Sequence, residues 1–193
     1  MTKELYFHLL TWEYFHLCTD KTVLEIGPLH GEHSKLILKK EPRGLDLLDI
    51  DPDVCKRLMS LTSHKDLKNI ICADIMQFLE REYLVDVVVC MGLIHHLHSP
   101  INLLELIVNA TKAKTIILDG VVSDHIMYYD DELGYEYTRF NRLERKTNLS
   151  LILPFNEINR FMSLLGYKLL KHENISVPDF WKENFWLGIW ERQ

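Results

Sequence analysis

Val23-Leu24-Glu25-Ile26-Gly27-Pro28-Leu29-His30-Gly31 is a short apolar run that ends in an acid and then breaks at two glycines. Residues Thr22–Ile26 have strand character, and a helical stretch over about 31–40 follows. Glycines at such a junction let the backbone turn sharply and let a ligand approach the main chain closely. The same two glycines also have a purely structural reading, as a tight strand-to-helix turn. Their spacing is not G-x-G-x-x-G, so a dinucleotide pyrophosphate is a poor match.

Outward from this stretch the same rhythm repeats. Strand-like runs lie over about 44–48, 69–73, 86–90 and 115–118. Between them come a helix from Pro52, with Val54, Leu58 and Leu61 on one face, a short helix over about 76–81, and a helix marked by Leu103, Leu106, Ile107 and Ala110. The unbroken valines near Val87 predict a strand buried on both faces. Strands and helices that alternate through short connections imply a parallel sheet with helices on both sides. A last helix begins near Phe155, with Ile158, Phe161, Met162 and Leu165 inward and Gly166 as its stop, and strands over 167–172 and 185–190 close the chain. Leu5, Leu9, Trp12 and Phe15 predict an amphipathic helix over about 1–18.

The polar residues of interest fall at the ends of consecutive strands. Asp49 lies 24 positions beyond Glu25, where a carboxylate can accept hydrogen bonds from two ribose hydroxyls. Asp51 stands directly before Pro52 and reads as a helix N-cap, leaving Asp49 and Ile50 for the ligand; Asp46 is a competing acid placed deeper in the strand. Cys72-Ala73-Asp74-Ile75 ends the third run, where Asp74 can accept an adenine amine beside the apolar Ile75, or can simply cap a helix. Cys90-Met91-Gly92-Leu93-Ile94-His95-His96-Leu97 leaves the fourth run at the end where open α/β sheets bind ligands.

VLEIGPLHG, LDIDPDV, CADI and VDVVVCMGLIHHLHSP resemble, in order, the first four motifs of the class I S-adenosylmethionine-dependent methyltransferases, and the resemblance runs over about 22–190. It implies a Rossmann-like three-layer α/β/α sandwich around a mostly parallel seven-stranded sheet, with the last strand antiparallel between the fifth and sixth. It implies S-adenosylmethionine as cofactor, S-adenosylhomocysteine as product, and Glu25, Gly27, Pro28, Gly31, Asp49, Ile50, Asp74, Ile75, Cys90, Met91 and His95 as cofactor-binding positions. One position departs from the family pattern: Leu29 stands where a glycine is usual, and with Pro28 it narrows the space over the methionine part of the donor.

Imidazole titrates near neutral pH, so His95, His96, His98 and His125 are base candidates; His96 is preferred and His95 is next, the alternative being that both only line the cleft. No set of metal ligands is expected: only Asp119 follows the fifth strand run. Residues 121–148, rich in Tyr and Arg, read as an insertion that forms either a lid over the acceptor or a helical hairpin packed on the sheet. Trp181 and Trp186 complete that wall or the core.

Whole-chain totals narrow the partners. Across 193 residues, 22 Lys and Arg face 28 Asp and Glu, a net charge of -6, whereas nucleic-acid binders gather positive charge to meet phosphates. A small-molecule acceptor of methyl at O or N is therefore the first expectation; a tRNA or protein acceptor, or a binding protein without activity, stands second. No stretch reaches the roughly 18 apolar residues of a membrane span, and the start lacks a signal-peptide pattern, so a single cytoplasmic domain is expected. Cys18, Cys55, Cys72 and Cys90 lie in apolar surroundings without a CxxC pair and are expected to be buried, reduced thiols.

Overall fold

The computed structural model describes residues 13–124, 127–130, 149–175 and 184–193. Seven strands form the main sheet: β1 Thr22–Ile26, β2 Gly44–Asp49, β3 Leu67–Cys72, β4 Val87–Cys90, β5 Thr115–Val121, β8 Tyr167–Ile175 and β9 Phe185–Arg192. Their order across the sheet is β3-β2-β1-β4-β5-β9-β8. The first five run parallel, while β9 is antiparallel to both β5 and β8. This is the expected Rossmann-like arrangement, with the last strand inserted between its two predecessors.

The valine run becomes β4 because it occupies the centre of the sheet, and Val87, Val88, Val89 and Cys90 are each at most 1% exposed. Alternate side chains feed two apolar clusters on opposite faces. Leu24, Ile26, Val88, Ile116 and Trp190 lie in one, and Val23, Leu45, Val89, Ile117 and Leu187 in the other. Helices α1 Glu32–Leu38, α2 Pro52–Leu58, α3 Ile75–Phe78, α4 Pro100–Thr111 and α5 Phe155–Leu164 cover these faces. The α2 start is set locally, since Asp51 accepts the Asp53 N–H at 2.8 Å and Pro52 occupies the first helical position. Gly166, at φ 84°, ends α5 as expected.

Three expectations need correction. Residues Tyr14–Cys18 form a 3₁₀ turn, not the end of an α-helix, and 1–12 lie outside the described residues. Cys72 is exposed, because it sits at the end of edge strand β3; only Cys18, Cys55 and Cys90 are buried. The insertion expected over 121–148 does not begin as a helical hairpin: its β6 Met127–Asp130 pairs antiparallel with β7 Leu149–Ile152, just beyond it. The segment 131–148 between them, with Tyr135, Tyr137, Arg139, Phe140, Arg142 and Arg145, lies outside the described residues, as do His125 and Trp181.

Candidate functional site

The site is assembled where β1, β2, β3, β4 and β5 end together. Gly27 N–H donates to the Leu48 carbonyl at 2.9 Å, which ties the turn after β1 to β2. Gly27 and Gly31 both have positive φ, 70° and 74°, the region where a Cβ is penalised. At Gly31 a Cβ would come within 2.8 Å of the Leu58 side chain, so the turn packs directly on α2. Leu29, at φ 47°, takes the same left-handed conformation without being glycine, a strain of about 1–3 kcal/mol. The turn therefore keeps a glycine-like path, and the half-buried Leu29 packs against the second core cluster. Pro28 is buried, and its carbonyl accepts the Gly31 N–H at 2.8 Å.

Glu25, 2% exposed, is buried as deeply as Asp119, and its Oε2 has no hydrogen-bond partner among the described residues. Burial pushes its carboxyl up to about 7; the nearby Ser34 hydroxyl pulls the other way and the Asp49 charge adds to the rise. Asp49, 7% exposed, is likewise raised by burial, opposed by the backbone amides of Asp51, Leu29 and Ile50. The Asp51 N–H donates to Asp49 Oδ1 at 2.9 Å, and the Leu29 amide also reaches this carboxylate, which links the end of β2 to the turn after β1. Asp46 is occupied elsewhere, accepting from Asn69 Nδ2 at 2.7 Å and the Tyr83 hydroxyl at 2.8 Å. Asp74 Oδ1 accepts the Met76 N–H at 2.7 Å and the Gln77 N–H at 3.4 Å, so the capping reading holds for that oxygen. Ile50 and Ile75 are half-buried beside these acids.

Beyond β4, the Cys90 and Met91 side chains belong to the core, and burial followed by the Asp119 charge drives the Cys90 thiol upward. The Gly92 N–H donates to Asp119 Oδ1 at 2.6 Å, which joins the ends of β4 and β5. Leu93 lies over Gly27, 3.4 Å from where a Cβ would stand. Sequence reading had no signal for Leu93, because nothing local says that a loop leucine will cover a glycine from another strand.

His95 and His96 sit in the 3₁₀ turn Ile94–His96 with ring centroids 4.1 Å apart, and His95 also meets Phe185 edge-on at 5.8 Å. Of the two, His95 lines a narrow crevice, together with Ile94, Pro100, Gly120, Val121 and Trp186. Strand β7 forms its outer side, held by the Leu151 N–H donating to the Leu97 carbonyl at 2.9 Å. Trp186, 2% exposed, fits only because residue 120 is glycine: a Cβ there would stand 2.5 Å from its ring. Its indole N–H has no hydrogen-bond partner among the described residues. His98 is exposed. No group of three His, Cys, Asp or Glu residues with metal-binding geometry occurs among the described residues.

Residues 24–118 match a family model described as a methyltransferase domain. No curated protein sequence matches the chain. Similar solved structures include the 1,6-didemethyltoxoflavin-N1-methyltransferase of Burkholderia thailandensis, bound to 1,6-didemethyltoxoflavin and S-adenosylhomocysteine, at 15% identity and TM-score 0.74 over 99% of this chain and 80% of that one. The magnesium protoporphyrin IX methyltransferase of Synechocystis, also with S-adenosylhomocysteine, matches at 14% identity and TM-score 0.63 over 98% and 80%. The small RNA methyltransferase HEN1 matches at 16% identity and TM-score 0.66 over 99% of this chain and 25% of that one. At such identities the likeness is one of fold.

Proposed function

We propose that the chain, whose residues 24–118 match a methyltransferase-domain model, is a class I S-adenosylmethionine-dependent methyltransferase that methylates an oxygen or nitrogen of a small, flat acceptor. The observation that carries the donor reading is the row of carboxylates at the ends of successive parallel strands, one of which, Glu25, keeps a buried oxygen without a partner. These residues fit the donor. Glu25 would accept from its ammonium group, Asp49 and the Ile50 backbone would hold the ribose, and the free oxygen of Asp74 with Ile75 would meet the adenine. Gly27, Pro28 and Gly31 shape the turn that the methionine part lies against, while Cys90 and Met91 contribute backbone at the floor. When bound, S-adenosylmethionine supplies an electrophilic methyl group on a sulfonium and departs as S-adenosylhomocysteine.

The acceptor side is read from the crevice beside β4 and β5. Its walls are apolar, and an acceptor ring would enter from its open side and meet the Trp186 N–H, which offers one hydrogen bond to an acceptor atom. His95 stands there too and is better placed than His96 to take a proton from the nucleophile; His96 packs behind it. Much of the rate in such a transfer comes from holding nucleophile and methyl carbon in line. The net charge of -6 weighs against a nucleic-acid acceptor.

Calorimetric titration with S-adenosylmethionine and S-adenosylhomocysteine is the deciding experiment. Micromolar binding of both, followed by methyl transfer to small heteroaromatic or phenolic compounds, is expected. Absence of binding to either would overturn the donor assignment, and transfer only to RNA or protein would overturn the acceptor assignment.

A further inference from the structure

Two of the four cysteines, distant in sequence, meet beside Asp49. Cys55 lies in the first turn of α2, its N–H donating to the Asp51 carbonyl at 3.0 Å. Its thiol is 3.7 Å from the Asp49 carbonyl and 3.9 Å from that of Ile71. Cys72 is paired with Asp49 across the β2–β3 ladder, and its sulfur is 4.0 Å from the Ile50 carbonyl. The two sulfurs therefore flank the same stretch of backbone at the ends of β2 and β3, and burial first, then the neighbouring Cys72 thiol, pushes Cys55 up to about 12. Exposure divides them sharply, with Cys72 open to solvent and Cys55 8% exposed. An exposed thiol beside a buried one is the arrangement in which the first meets an oxidant and the second resolves it.

We propose that Cys72 and Cys55 form a peroxide-sensitive dithiol that closes to a disulfide beside Asp49 and thereby weakens donor binding. The Cys72 thiolate attacks one oxygen of hydrogen peroxide, the O–O bond breaks, and water leaves once the departing hydroxide is protonated. Cys72 is then a sulfenic acid. The Cys55 sulfur attacks the Cys72 sulfur, the S–O bond breaks, and the departing hydroxide takes the Cys55 proton as a second water. In all, the dithiol loses two electrons and two protons, and one peroxide becomes two waters. The new bond ties the end of β3 to the first turn of α2, on either side of the Asp49–Asp51 turn. A disulfide holds its sulfurs about 2 Å apart, closer than unbonded thiols can approach, so the turn that presents Asp49 must shift. The effect on the donor rests on the assignment of Asp49 to its ribose; the disulfide itself does not.

The test treats the full-length protein with graded hydrogen peroxide, maps disulfide-linked peptides by mass spectrometry, and titrates S-adenosylhomocysteine before and after. A linked Cys55–Cys72 peptide, a fall in free thiols from four to two, reversal by dithiothreitol and donor affinity lowered about fivefold or more are expected. In Cys55→Ser, a sulfenic acid at Cys72 should be trapped by dimedone. Cys72 oxidised to sulfinic acid without a linked peptide in the unaltered chain would overturn the proposal. So would a disulfide that leaves the affinity unchanged. Failure of the reduced protein to bind S-adenosylhomocysteine at all would retire the donor assignment and with it the effect on binding, leaving the dithiol to be judged on the linked peptide.

Discussion

Glu25 is neutral over much of the ordinary pH range because burial removes its carboxylate from water, and this couples stability to the donor in opposite senses. The folded chain holds that proton up to about 7 against a usual 4.5, so in this window it binds more protons than the unfolded chain. Stability from this group is therefore complete below about 4.5 and falls as pH rises toward 7. Glu25→Gln, neutral throughout, should exceed the parent chain near pH 8 by on the order of 1–3 kcal/mol in urea unfolding, and the difference should fade near pH 4. Donor binding should respond the other way. An ammonium group needs the charged carboxylate, so affinity should weaken as pH falls through about 7, and in Glu25→Gln it should be weak and flat with pH. A gain in stability joined to a loss of affinity cannot come from a packing defect. At the ribose, Asp49→Ala should weaken S-adenosylmethionine binding by about 1–3 kcal/mol in calorimetry. The neighbouring Asp46→Ala, which unpairs Asn69 and Tyr83 instead, should lower the unfolding midpoint and leave affinity alone. Equal loss of affinity in both variants would remove Asp49 from the site.

At the scale of elements, what could be read in advance was whatever has a period or a local chemical signal. The strand–helix alternation was visible because each parallel strand is a short apolar run, and the α2 start because Asp51 and Pro52 carry their own cap. The β6–β7 ribbon was not visible, since its two strands are short, flank a stretch rich in Tyr and charge, and find each other only through pairing across that stretch. The left-handed Leu29 was also hidden: sequence identifies such a conformation through glycine, and here the fold imposes it on a leucine. Nor could composition say that Cys72 reaches solvent, because exposure follows from β3 being an edge. The contact between β5 and β9 gives the element-scale prediction. In Gly120→Ala the new methyl would stand 2.5 Å from the Trp186 ring, and neither a central strand nor an indole only 2% exposed can withdraw freely. Overpacking of this kind costs about 1–3 kcal/mol, which denaturant unfolding would register. Since Trp186 lines the crevice, KM for the acceptor should rise more than kcat falls. An unaltered unfolding midpoint would show that the indole can move, and would weaken its assignment as a fixed wall.

For the molecule as a whole, every polar residue assigned to the donor stands at one end of a sheet whose two faces are filled with apolar side chains. Neither the turn after β1 nor the Asp49–Asp51 turn exists in an unfolded chain, so the donor should bind the folded state alone. Binding then adds RT ln(1 + [L]/Kd), about 2.7 kcal/mol at a donor concentration near 100 Kd. For a chain of 193 residues each kcal/mol moves the thermal midpoint by about 2–4 °C. Saturating S-adenosylhomocysteine should therefore raise the midpoint by roughly 5–10 °C in a melting experiment followed by tryptophan fluorescence. The same concentration applied to Asp49→Ala, with Kd raised about 5- to 150-fold by the loss of 1–3 kcal/mol, should give about two-thirds of that rise or less. This comparison separates a specific site from general stabilisation by added solute, because a co-solvent effect would not depend on one buried carboxylate. No shift in the parent chain would mean that the strand ends do not hold the donor, and an equal shift in both proteins would mean that the ligand is held elsewhere on the fold.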